Sequence, residues 1–156
     1  MELDPNTRFV GDHLNAGFLI SVAIFLEREM REFAFALQKA GHLGLNLGDM
    51  SGSLPERFRK YCLHVARLPS LTTETNWQDV CGFVEIRNCL VHANGILDGF
   101  GKVNAIKAFA TRHGTPRIDE PHLLVDAQTS HKCLDLVTDF IGTIYHVALK
   151  AYPRRR

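Results

Sequence analysis

Arg87, Asn88 and His92 are the residues of this chain whose types and spacing suit chemistry. A guanidinium can hold an oxyanion through two parallel hydrogen bonds. An imidazole exchanges a proton near neutral pH, and an amide can orient either group. Together they suit proton transfer beside a negative charge. The surrounding stretch, Glu85 to Gly95, reads as the end of a helix. At about 100° per residue, Trp77, Val80, Phe83, Val84, Leu90 and Val91 form one apolar stripe, with Arg87 projecting from its middle. Asn88 and His92 lie on the flank, four residues apart, and Glu85 joins them three residues before Asn88. An always-charged guanidinium is costly to bury unless it is paired or borders solvent or a ligand. Two readings follow: Arg87 has an acidic partner, for which Glu27 is the candidate, or the stripe borders a cleft.

Spacing alone does not select this pair. Arg with His five residues later occurs as Arg8/His13, Arg59/His64, Arg87/His92 and Arg117/His122, where chance gives roughly one. Arg8/His13 lies near the N-terminus, and Pro121 interrupts Arg117/His122. Arg59/His64 also falls on an expected helix. There Phe58, Tyr61, Cys62, Val65 and Leu68 form the stripe, Arg59 sits at its edge and His64 points to the polar side. Only Arg87/His92 combines a stripe-central Arg, a following polar residue, an apolar run and a helix stop.

Arg87-Asn88-Cys89-Leu90-Val91-His92 resembles the R-(N/D/H)-x3-H form of the Rx4–6H motif of HEPN domains, small all-helical nucleotide-binding and ribonuclease modules. Glu85 to Gly95 is similar to the E-x-R-N-x-x-x-H-x-N-G variant of bacterial members. The motif resemblance covers about a dozen residues, and the helix arrangement extends it loosely over the chain. Asn94 stands where one subgroup carries a tyrosine that a nucleotidyltransferase partner modifies, which argues against that subgroup.

The resemblance implies a two-fold dimer that brings two Arg87 and two His92 into one composite site. Arg87 and His92 are about 140° apart on a helix, so one straight face does not place both. The implied activity is metal-independent cleavage of single-stranded RNA, with no cofactor. His92 would serve as acid or base, Arg87 would meet the phosphorane charge, and Asn88 would orient His92 or the phosphate. Glu85, Asn94, Lys102, Lys107 and Arg112 are the candidate substrate-binding residues. No acidic cluster for Mg²⁺ stands near the motif. The resemblance also suggests a toxin with an antitoxin partner, or a phage-defence effector. The competing class is a non-catalytic dimer that binds RNA, a nucleotide or a protein, with Arg87 as anchor and His92 as helix cap. A generic helical bundle with Arg87 paired to Glu27 is the third reading.

The elements that must position these residues are helical. Residues 6–40 predict one long helix, with Gly17 a candidate break and Leu19, Val22, Ala23, Leu26, Met30, Phe33 and Leu37 on one face. Ile24, Phe25 and Phe35 lie elsewhere around it, which suggests cover on more than one side, by the rest of the domain and by a second subunit. The stretch from Gly41 to Gly52 carries four glycines and marks a loop, and Ser53 with Glu56 forms a capping box. The second helix runs to about Leu68, before Pro69. Asn76 opens the third, which ends at Asn94-Gly95, a left-handed cap signal. His92 then sits in the closing turn, where exposed carbonyls favour a cation.

Gly99 to Gly114 has a helical middle (Val103, Ile106, Phe109) that also carries Lys102, Lys107, Arg112 and His113. Arg117–Asp119 and His122–Val125 predict a short hairpin around Glu120-Pro121. Residues 130–152 predict the last helix, with Leu134, Val137, Phe140, Ile141, Ile144, Val147 and Ala148 as its stripe, followed by a basic tail at Pro153–Arg156. The expected fold is all-α: one domain over residues 1–156, an up-and-down bundle of four to five helices with a hairpin before the last.

Composition agrees with a globular protein, at 46% hydrophobic and 22% charged over 156 residues. Net charge is +1, so any nucleic-acid contact must be local. Cys62, Cys81, Cys89 and Cys133 have no metal-ligand spacing and read as reduced, mostly buried thiols. A cytosolic location is expected. No signal peptide is evident, and no apolar run approaches the roughly 20 residues of a membrane span.

Overall fold

The computed structural model describes residues 5–71 and 76–152, with side chains from residue 10 onward. The Arg8 side chain, the linker at 72–75 and the basic tail at 153–156 lie outside the described residues. Within them the chain is all-helical, with five α-helices and a two-stranded hairpin before the last helix. The helices are α1 (Pro5–Gly41), α2 (Leu54–Lys60), α3 (Trp77–Ala93), α4 (Val103–His113) and α5 (Ala127–Ala151). Strands β1 (Arg117–Asp119) and β2 (His122–Leu124) pair antiparallel, with Ile118 opposite Leu123. The chain falls into two compact units, Met1–Ile24 with Gln78–Leu136, and Phe25–Trp77 with Val137–Arg156.

α1 is continuous through Gly17. Its expected face is buried in full: Leu19, Ala23, Leu26 and Met30 have no exposed surface, and Val22, Phe33 and Leu37 have almost none. The second apolar set is exposed, with Ile24 at 59% and Phe35 at 54%. From Val10 to Gly41 the helix is long and apolar enough to cross a membrane by length and composition alone. The expectation that no run approaches a span is corrected here, because apolar residues occupy both faces of α1. About 22% of that apolar stretch is buried within the chain.

In the second unit the capping box forms as read: the Ser53 N–H donates to the Glu56 carboxylate at 2.8 Å. α2 then continues as a π-helical turn, Tyr61–Val65. Phe58, Tyr61, Cys62 and Leu68 are buried, whereas Arg59 and His64 are exposed. An aromatic cluster fills this core. The Phe58 ring lies 5.9 Å from Phe33, 6.1 Å from Trp77 and 6.1 Å from Phe140. The Trp77 indole N–H donates to the Leu71 carbonyl at 3.2 Å, which satisfies its one polar atom.

In the first unit α3 and α4 meet at Gly82. A Cβ there would lie 2.9 Å from the Phe109 side chain, so only glycine admits this approach. Asp79, near the start of α3, is buried and accepts from Arg112 Nε at 2.7 Å, with His113 Nε2 3.0 Å away. The α5 stripe is turned from the expected one at its start: Thr129, Ser130, Cys133 and Val137 are buried, while Leu134 is 41% exposed. Leu134 follows Cys133 by one residue, about 100° around the helix, and that rotation turns it outward.

Candidate functional site

The second half of α3 carries the Arg87 motif, and its buried side differs from the expected stripe. Ile86 and Cys89 have no exposed surface, Leu90 is half-buried and Val91 is 43% exposed. The cause is a change of cover along the helix. Near its start α3 is buried almost all round, at Asp79, Val80, Gly82, Phe83 and Val84. Toward its end only the side bearing Ile86 and Cys89 is fully covered. Arg87 therefore stands at the margin of the core, one turn before exposed Val91, and not in the middle of a buried stripe.

Three polar residues of the motif form a chain. Arg87 Nη1 donates to Asn88 Oδ1 at 3.0 Å, and Asn88 Nδ2 donates to Glu85 Oε2 at 3.2 Å. All three are half-buried. Desolvation pulls the Arg87 guanidinium below its ordinary value, and an anion in contact with it would oppose that effect. His92 is exposed in the last turn of α3, one turn beyond Asn88. Burial raises the Cys89 thiol, which makes it a poor nucleophile.

The helix closes as its sequence signals. Asn94 and Gly95 both take left-handed backbone, with φ of 50° and 73°, a conformation that glycine adopts without strain. The Gly95 N–H bonds to the Cys89 carbonyl at 3.1 Å. The chain then runs beside β2: Leu123 N–H donates to Gly95 O at 2.8 Å, and Leu97 N–H to Pro121 O at 2.8 Å.

This docking builds a groove that the sequence did not reveal. Asp12, His13 and Ile20 of α1, Leu90 and Asn94 at the end of α3, and His122 of β2 line a cleft of about 490 Å³ in the first unit. It joins the histidines of two Arg/His pairs that local context had set aside. The contributing stretches are far apart in sequence, so no local pattern could have announced it. Of the expected site residues, only Asn94 lines this cleft.

The basic residues of α4 divide. Lys107 is ion-paired with Glu120, and Arg112 with buried Asp79. An anion at either side chain would meet a carboxylate already in contact with it. Lys102, at the N-terminal boundary of α4, is exposed.

Among the described residues no group of three or more His, Cys, Asp or Glu side chains is placed to hold a metal ion. Burial pushes the thiols of Cys62 and Cys133 up to about 12. Comparisons with family models, with curated proteins and with solved structures return no match for this chain.

Proposed function

We propose that this chain is a HEPN-type endoribonuclease that cuts single-stranded RNA without a metal, as a homodimer. In this reading the ribose 2′-OH loses a proton and its oxygen attacks the adjacent phosphorus. The bond from phosphorus to the 5′-oxygen breaks, and that oxygen takes up a proton. The products are a 2′,3′-cyclic phosphate and a 5′-hydroxyl. His92 serves one proton transfer, and its counterpart in the second copy can serve the other. Arg87 holds the phosphate and offsets the charge that builds on it. Asn88 positions Arg87 and, through it, the phosphate.

The observation that carries the reading is the exposure of Val91, at 43%. This residue follows Arg87 by four positions and adjoins His92, so it lies between the two around the helix, and a second copy docked over it would stand beside both. Val10, Leu14, Phe18, Ile24 and Leu134 give the first unit further exposed apolar surface, from 41% to 70% each, which suits a partner copy. The chemistry is tested by analysing the ends of RNA cut in EDTA. A 2′,3′-cyclic phosphate and a 5′-hydroxyl support this pathway, whereas 5′-phosphate products would rule it out.

A further inference from the structure

The second unit holds a small cationic pocket that the motif does not use. It has a volume of about 270 Å³ and is lined by Arg31, Ala34, Phe35 and Gln38 of α1, by the turn at Asn46–Gly48, and by Arg57 of α2. Two arginines thus line one concavity, where like charges repel. Among the described residues neither makes an ion pair, while Arg28, Lys107 and Arg112 each do. The nearest turn carboxylate, Asp49, is already engaged by the Asn46 N–H at 2.8 Å. Arg57 Nε is buried with no hydrogen-bond acceptor. A buried donor of a charged group without an acceptor is destabilising and calls for an explanation. An anion in the pocket would supply acceptors and offset the repulsion together.

The geometry points to a phosphate-binding site at Arg31 and Arg57. Guanidiniums match the oxygen spacing of a phosphate, which they bind through paired N–H donors. The volume suits one phosphate or pyrophosphate group with a small attached body, not a full dinucleotide. The exposed Phe35 ring, with Lys39 Nζ 4.8 Å from its centroid, offers an apolar wall beside the charge. The group could come from a free phosphorylated metabolite or from the 5′ end of an RNA. The chemistry is the same in both cases. This site stands apart from the RNA-cleaving proposal, and either can fail alone.

The test is calorimetric titration of the full chain with pyrophosphate at low ionic strength. Saturable one-to-one binding is expected, weakened about tenfold or more by Arg57→Gln and likewise by Arg31→Gln, whose side chain is exposed and whose loss spares the fold. Arg59→Gln removes an exposed charge outside the pocket and should leave affinity within about twofold. A 5′-phosphorylated pentanucleotide that binds more tightly than pyrophosphate, and more tightly than its 5′-hydroxyl form, would assign the phosphate to an RNA end. Equal binding of the two oligonucleotides, with pyrophosphate retained, would assign it to a small molecule. Absence of saturable pyrophosphate binding, or equal weakening by Arg59→Gln, would overturn the site.

Discussion

The Arg87 guanidinium donates to the side-chain carbonyl of its sequence neighbour Asn88 at 3.0 Å. The amide of Asn88 reaches back one turn to Glu85. Asn88 is thus a positioning residue between a cation and a carboxylate. Replacing it by alanine removes both bonds, and with them one of the contacts that orient the guanidinium. A hydrogen bond to a charged group is worth about 1.5 kcal/mol. Asn88→Ala should therefore lower kcat for RNA cleavage by somewhat more than tenfold, with KM changed less. Thermal unfolding of the same variant should fall by only a few degrees. A variant with full kcat would remove Asn88 from the mechanism.

Gly82→Ala tests how α3 meets α4. In an exposed helix the change would stabilise by about 1 kcal/mol. Here the new methyl would lie 2.9 Å from Phe109, and overpacking of this kind costs about 1–3 kcal/mol. Urea unfolding should show net destabilisation. A stabilised variant would mean that the two helices can separate without loss.

Asp79 anchors the end of α4 to the start of α3 through Arg112 and His113. Its carboxylate is almost fully buried, and removing one partner of a buried pair costs about 3 kcal/mol. Arg112→Ala should lose about that much stability in urea, because it takes a cation from the buried carboxylate, and Asp79→Ala less, because the guanidinium left behind is partly solvated. Equal and small effects would show that the pair behaves as a surface contact.

Asp126 precedes α5, where its carboxylate accepts from the Thr129 N–H and hydroxyl at 2.8 Å each. Burial alone would raise its pKa, but these hydrogen bonds outweigh it and hold the group below the ordinary value of 3.8. A carboxylate depressed in the folded state stabilises the fold fully above its unfolded value. That contribution is lost as pH falls through the lower folded value. Asp126→Ala should cost about 1 kcal/mol at neutral pH, as a lost helix cap, and progressively less below pH 4. A pH-independent cost would contradict the assignment.

Burial also predicts thiol behaviour. Cys62 and Cys133, both raised to about 12, should resist N-ethylmaleimide in the native state at pH 8. Half-buried Cys81 should label first by mass spectrometry. Fast labelling of Cys62 would indicate that the π-helical turn around it opens readily.

What the sequence made legible was local. The buried face of α1, the Ser53–Glu56 capping box, the Asn94–Gly95 helix stop and the hairpin at Glu120-Pro121 all follow from periodicity and capping chemistry within one element. The periodicity of α3 misled because its cover changes along its length, which leaves Val91 outside while Ile86 and Cys89 take the core. The ion pairs of Lys107 and Arg112 are not legible in the sequence, because their carboxylates, Glu120 and Asp79, lie 13 and 33 residues away. The groove of Asp12, His13 and His122 and the pocket of Arg31 and Arg57 arise only when separate segments meet. No window of sequence contains either.

The central claim is that His92 moves a proton at a phosphate held by Arg87. The most direct measurement is cleavage of a single-stranded RNA in EDTA by wild type, His92→Ala, Arg87→Ala and Arg59→Ala, each checked for unchanged circular dichroism. The account predicts cutting by wild type and Arg59→Ala, and loss of at least a hundredfold in the other two. Undiminished cleavage by His92→Ala, or a wild type that cuts only when metal is added, would contradict it.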